Sequence, residues 1–149
     1  MELHSIDTLI NEYEELSVYT ESRVREAVDD VIRKYGITFE QLCILRMLCT
    51  RPGMNSISIA ERLHINKSGV SIRINRLINR KLIEKKKIDN RSFGLYQTNA
   101  GKEIYEKAQE KIRALVSHWI KMVGEKDAAT FIRIYRKINE IIIQSGAGS

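Results

Sequence analysis

Apolar residues recur at helical spacing along most of the chain, with one interruption in the middle. Leu3, Ile6, Leu9, Ile10, Tyr13, Leu16, Val24, Ala27, Val28, Val31 and Ile32 keep a three-to-four-residue period, which predicts a long amphipathic helix, with a bend near residues 19–22. Gly36 suits its left-handed stop. Thr38 precedes Gln41 by three residues, the spacing of a capping box, and opens a helix with Phe39, Leu42, Leu45 and Leu48 inside. Arg51-Pro52-Gly53 ends it, and residues 54–57 offer a short strand. Beyond the interruption Thr98 caps another helix, striped by Ile104, Ala108, Ile112, Leu115, Trp119, Ile120 and Val123 up to Gly124. A last helix carries Phe131, Ile134, Tyr135, Ile138, Ile141 and Ile142, and residues 145–149 read as a flexible tail.

Between residues 56 and 98 the pattern shortens. Ser58 and Glu61 again have capping-box spacing, Ile59, Ala60 and Leu63 form a short apolar face, and His64-Ile65-Asn66 breaks it. Asn66 is a good N-cap for a second helix. There Val70, Ile74 and Leu77 share one face, while Ser68, Ile72, Asn75 and Asn79 point the opposite way. A short helix, a turn and a second helix of this kind is a helix-turn-helix. Residues 82–88 and 93–97 then read as two strands around Asp89-Asn90-Arg91-Ser92, whose Asp and Asn favour a turn. The expected fold is therefore mainly α with a small β-hairpin wing: a winged helix-turn-helix with long helices on both sides.

Charge sharpens this. The chain carries net +6, but residues 58–92 hold ten Lys or Arg against three acids, whereas all other residues hold fifteen against sixteen. The excess thus sits on the segment that would face DNA phosphates, where counterion release drives binding. The 149 residues suit one protomer of an intertwined dimer. A winged helix closes its own core, so the apolar end helices call for a partner, here a second copy. No run approaches the roughly 20 apolar residues of a membrane span. The N-terminus lacks signal-peptide features, which makes the expected location cytoplasmic, with no membrane partner.

The run Asn66-Lys67-Ser68-Gly69-Val70-Ser71 through Asn75-Arg76-Leu77, then Leu82-Ile83, Asp89-x-Arg91 and Thr98-x-x-Gly101, resembles the multiple-antibiotic-resistance-regulator (MarR) family. Thr38-x-x-Gln41 with Leu45 and Leu48 fits as well, so the resemblance covers nearly the whole chain. It implies an N-terminal dimerisation helix (residues 1–37), a winged helix-turn-helix (38–100) and C-terminal dimerisation helices (101–149). It also implies a homodimeric transcriptional regulator, most simply a repressor, on pseudo-palindromic double-stranded DNA. A small-molecule effector between the dimer helices and the winged helix would alter the spacing of the recognition helices. Tyr13, Tyr19 and Trp119 are candidate walls for it, or simple core.

The candidate DNA-binding residues are Lys67, Ser68, Gly69, Ser71, Ile72, Asn75, Arg76, Asp89 and Arg91. Ser68 and Ser71 stand at the helix start that enters the groove, where a hydroxyl serves a base edge, a phosphate or neither. Lys67 and Arg76 would hold flanking phosphates, or are ordinary surface charges. The family usually has threonine at Gly69; close backbone approach to DNA and simple tolerance both account for glycine. Ile72 stands where the resemblance leads one to expect arginine. It is either placed against a thymine methyl or a lone exposed apolar residue. Asn75 reads adenine or touches a phosphate. Arg91 at the wing tip would enter the minor groove, oriented by a salt bridge from Asp89; the alternative is an exposed ion pair of little consequence. Lys81 replaces the glycine the family often has there. Lysine at positive φ is uncommon, so a locally different turn is expected.

Other chemistry finds little support. There is no glycine-rich phosphate loop, Cys-x-x-Cys or His-Glu-x-x-His, and His4, His64 and His118 have no metal-ligand spacing. An enzyme, a cofactor and a metal site are not expected. Cys43 and Cys49 lie about 9 Å apart along one helix, too far for a disulfide, and read as small apolar groups rather than a redox pair. The rivals that remain are a winged helix used for protein contact and a non-specific architectural DNA binder.

Overall fold

The computed structural model describes residues 5–146; Leu3, His4 and the tail residues 147–149 lie outside them. Ser5 caps α1 (Ile6–Ile32), its Oγ accepting from the Thr8 N–H at 3.2 Å. The helix is unbroken through residues 19–22, where a bend is expected. Neither Gly nor Pro is present there to interrupt the ladder. Only its C-terminal end is buried, at Val28 and Ile32. A 3-10 turn, Arg33–Tyr35, follows, and Gly36 at φ +70° closes it as expected.

The capping box of α2 (Phe39–Thr50) forms in full: Thr38 Oγ1 accepts from the Gln41 N–H at 3.2 Å and Gln41 Oε1 from the Thr38 N–H at 3.0 Å. The second of these bonds gives the side-chain oxygen of Gln41, a buried residue, its partner. Leu42, Ile44, Leu45 and Leu48 are buried, so Ile44 takes the inner place expected for Phe39. Phe39, at the rim of the first turn, is half-buried.

Asn55, not Ser58, caps α3 (Ser56–Leu63), with Oδ1 accepting from the Ser58 N–H at 2.8 Å. The Ser58–Glu61 capping box therefore does not form, because the helix begins three residues earlier. The strand expected at residues 54–57 shrinks for the same reason to one bridge, Met54 to Leu95. His64 ends α3 in a left-handed conformation at φ +54°, with the Ile65 N–H reaching the Ala60 carbonyl at 3.2 Å.

Asn66 caps α4 (Lys67–Asn79) as expected, and Val70, Ile74 and Leu77 are its buried face. At the far end Lys81 adopts φ +60°. Its N–H bonds the Ile78 carbonyl at 2.8 Å and the Leu82 N–H bonds that of Leu77 at 3.0 Å. This is the bonding pattern of a glycine-closed helix end, and Leu77 and Leu82, whose positions such an end pairs, are both buried. The turn keeps its glycine shape and lysine bears the strain, so the local departure expected at Lys81 is not seen.

β1 (Ile83–Lys87) and β2 (Phe93–Gln97) pair antiparallel, Ile83 opposite Gln97 and Lys87 opposite Phe93. The sheet is stitched to the connection before α3: the Gly53 N–H bonds the Leu95 carbonyl and the Leu95 N–H that of Met54, both at 2.9 Å. A Cβ on Gly94 would lie 2.8 Å from the Gly53 carbonyl oxygen, which explains glycine in that strand. At its base Thr98 Oγ1 donates to the Lys81 carbonyl at 2.7 Å and accepts from the Gly101 N–H at 3.0 Å, opening α5 (Asn99–Val123). Gly124 at φ +102° separates α5 from α6 (Glu125–Gln144).

The chain divides into two units, one through Ile112 and one from Arg113. The first holds the core, built from α2, α3, α4, the hairpin, the end of α1 and the start of α5, where Ala108 is buried. The second holds the last turns of α5 and all of α6. No residue of α6 is buried, and its whole apolar stripe from Phe131 to Ile142 is exposed in the single chain. No helix among the described residues is long and apolar enough to cross a membrane.

Candidate nucleic-acid interface

The outer face of α4 follows from its inner one. With Val70, Ile74 and Leu77 anchored in the core, helical spacing drives Ser68, Ser71, Ile72, Asn75, Arg76 and Asn79 outward, and all six are exposed. Ile72 is 54% exposed in the middle of this polar set. Lys67 is exposed at the helix start, where the N-terminal peptide dipoles also favour an anion.

The N-cap engages two of the candidates. Asn66 Oδ1 accepts from the Gly69 N–H at 2.7 Å and from the Ser68 hydroxyl at 2.8 Å. Ser68 therefore offers lone pairs outward while its proton is already used. Gly69 is closely surrounded within the fold: an added Cβ would lie 3.1 Å from Asn66 Oδ1, Ile65 Cγ2 and Arg73 Nη1 alike. Each neighbour would have to give by a few tenths of an ångström, and one of them is the flexible end of Arg73.

Two arginines counted among the basic groups turn back into the protein. Arg73 Nη1 donates to the Gly69 carbonyl at 2.9 Å. Arg80 donates to the Gly36 carbonyl, and through Nη2 to that of Tyr35 at 3.1 Å, tying the end of α4 to the end of the first helix. Their charge remains, but not every net unit of the segment faces outward.

At the wing tip the Ile88 N–H bonds the Ser92 carbonyl at 3.0 Å. Asp89 Oδ1 accepts from the backbone N–H groups of Arg91 at 2.8 Å and Ser92 at 2.9 Å. The expected Asp89–Arg91 salt bridge is thus replaced by an Asx turn. Asp89 shapes the loop that carries Arg91 and leaves its guanidinium free among the described residues. The Arg91 N–H, then the Ser92 hydroxyl and N–H, hold the Asp89 carboxyl below its ordinary value. The three strand lysines divide by pleat. Lys85 stands over the Phe93 ring at 4.8 Å, whereas Lys86 pairs with Glu84 at 3.1 Å and covers Tyr96. Lys85 and Phe93 join Ser71, Ile74, Asn75 and Ile78 around an open cleft of about 290 Å³ between α4 and the wing. Its Lys85 wall was legible only as strand alternation.

The remaining candidates are spread elsewhere. Tyr13 and Tyr19 are 61% and 57% exposed, not core, and Arg23 stacks on Tyr19; Trp119 is half-buried. His64 serves the α3 cap and His118 is exposed. Cys43 and Cys49 are free thiols, and burial pushes the Cys43 thiol up.

This arrangement has known counterparts. The sequence profile of the MarR family matches residues 35–90, from the turn closing α1 through the wing tip. Residues 35–90 are thus similar to the MarR family, and β2 completes the winged helix that they begin. Most of the chain shares its fold with solved structures of that family. A Staphylococcus aureus MarR in complex with salicylate and kanamycin has TM-score 0.82 at 21% identity, covering 92% of this chain and 94% of that one. A MarR-family protein from Bacillus stearothermophilus has TM-score 0.80 at 16% identity, covering 93% and 99%. The S. aureus MepR–DNA complex has TM-score 0.78 at 20% identity, covering 87% and 97%. No curated protein matches the sequence. The fold class expected from the chain's patterning is therefore that of the MarR-family regulators, with both flanking helical segments included.

Proposed function

We propose that this protein regulates transcription by binding double-stranded DNA, with α4 in the major groove and Arg91 of the wing in the adjacent minor groove. The observation that carries the reading is the coincidence of exposure and chemistry. Lys67, Ser71, Ile72, Asn75 and Arg76 emerge on one side of a helix held rigidly by its core face and N-cap, and Arg91 projects from a loop fixed by Asp89. MepR, whose fold this chain shares, is solved on DNA.

The active form is a homodimer. The exposed apolar side chains of α1 and α6, Leu9, Ile10, Tyr13, Ile134, Ile138 and Ile141 among them, lose water against a second copy. Two recognition helices would then stand one DNA turn apart, about 34–36 Å, over a pseudo-palindromic operator. Occupancy of that site represses the adjoining promoter. A small-molecule effector that prefers the unbound form relieves repression, since a ligand shifts the equilibrium only by its differential affinity. The fold of an S. aureus MarR that holds salicylate and kanamycin supports this regulation.

The test is fluorescence anisotropy of labelled duplex from the protein's own upstream region against random duplex, titrated at several salt concentrations. Light scattering on the same sample gives the oligomeric state. The reading predicts a dimer, preference for the upstream sequence and a steep loss of affinity with salt. Absence of binding at low salt contradicts it, and equal affinity for random duplex leaves an architectural binder.

A further inference from the structure

Several features of α4 restrict which base pair its outer face can read. Arginine on guanine O6 and N7 is the commonest specific major-groove contact, and the two arginines beside this face are committed elsewhere. Arg73 is held by the Gly69 carbonyl at 2.9 Å and Arg80 by the carbonyls of Tyr35 and Gly36. Arg76 remains, 40° from Ile72 by helical spacing but on the side away from Ser68 and Asn75, where it is assigned to a flanking phosphate. Guanine presents only acceptors in the major groove, so a partner must donate. Ser68, nearest the helix start, has already given its proton to Asn66 Oδ1 at 2.8 Å. Ile72, in the middle of the face and 54% exposed, has nothing to donate. Against guanine or adenine N7 it would strip water from an acceptor and return no hydrogen bond. Against thymine it meets the C5-methyl, the one apolar group on the major-groove edges. Asn75, on the same exposed face, has the donor and acceptor pair that matches adenine N6 and N7.

We infer that α4 selects A·T pairs at the centre of each half-site, with Ile72 on a thymine methyl as the specificity-determining contact and Asn75 on a neighbouring adenine. This rests on the DNA-binding reading above and adds to it which bases that face accepts. Ile72 outside the core means that its truncation leaves Val70, Ile74 and Leu77 in place, so fold and specificity separate.

The experiment begins with selection of the preferred site from a pool of randomised duplexes by the full-length protein. Each thymine of the selected half-site is then replaced by deoxyuridine, which lacks only the methyl. One thymine per half-site is expected at which deoxyuridine weakens wild-type binding about fourfold, the effect of one methyl returned to water. Ile72→Ala is expected to keep the wild-type melting temperature, to bind thymine DNA more weakly and to be indifferent to the same replacement. Asn75→Ala is expected to lose about tenfold against the selected site and to tolerate changes of one adenine. Selection of guanine at the half-site centre overturns the inference, and so does wild-type indifference to deoxyuridine at every thymine, although DNA binding itself would stand. Failure to bind any duplex at low salt overturns both.

Discussion

Gly101→Ala should reverse the usual effect of a glycine-to-alanine change in a helix. By intrinsic propensity the substitution stabilises by about 1 kcal/mol. Here a Cβ at residue 101 would lie 1.9 Å from the Leu82 carbonyl oxygen, against the 3.4 Å at which ordinary contact begins. The shortfall of roughly 1.5 Å involves backbone on both sides and has no flexible side chain to absorb it. Relief requires α5 to lift from the base of the wing. That would break the Thr98 N–H to Leu82 carbonyl bond at 3.1 Å and the Thr98 Oγ1 to Lys81 carbonyl bond at 2.7 Å. Two hydrogen bonds at about 0.5–1.5 kcal/mol each and overpacking at about 1–3 kcal/mol, less the propensity gain of about 1 kcal/mol, give a net loss of about 1–5 kcal/mol. A domain has only about 5–15 kcal/mol in total. Urea unfolding at fixed protein concentration reads the change, with Lys102→Ala on the same turn as control. A midpoint unchanged or raised in Gly101→Ala would refute the claim that this contact fixes the helix against the wing.

Other predictions concern individual caps and side chains. Lys81→Gly, at φ +60°, should stabilise by up to about 1 kcal/mol in the same urea assay, because only the backbone of this lysine is used in the helix-ending turn. Asn66→Ala should cost about 1 kcal/mol and weaken DNA binding as well, since both the Gly69 N–H and the Ser68 hydroxyl lose their acceptor. The Asp89 carboxyl titrates below its ordinary 3.8 when folded. Its ordering of the wing tip is therefore present above that pH and lost as pH falls through the lower folded value. Amide exchange at Arg91 and Ser92, compared with Asp89→Ala across that acid range, checks it. With a disulfide-forming reagent Cys49 should be modified before Cys43, whose thiol is half-buried and raised by desolvation.

The parts legible in the sequence were those decided by local rules. Thr38 with Gln41 and Asn66 with its helix could be read because a cap needs one residue type at one spacing, and the buried face of α4 because three apolar residues share a period. Asn55 was missed because Ser58 and Glu61 supply the same local signal three residues later, and only the pairing of Met54 with Leu95 decides which start the chain uses. Arg80 and Arg73 were counted as outward charge because composition carries no direction. The carbonyls that hold Arg80 lie more than forty residues away. Asp89 and Arg91 are two apart in sequence, which suggests a side-chain pair, whereas the backbone N–H groups inside the turn stand closer to the carboxylate than the guanidinium does. The glycines at 94 and 101 depended on contacts with Gly53 and Leu82, far from them along the chain.

The most direct test of the central claim is hydrogen exchange of the full-length protein with and without its selected duplex. The account predicts added protection at residues 67–76 and 88–92, the outer side of α4 and the wing tip, that diminishes as salt is raised. Protection confined to other segments, with residues 67–76 and 88–92 exchanging at the same rate in both samples, would contradict it.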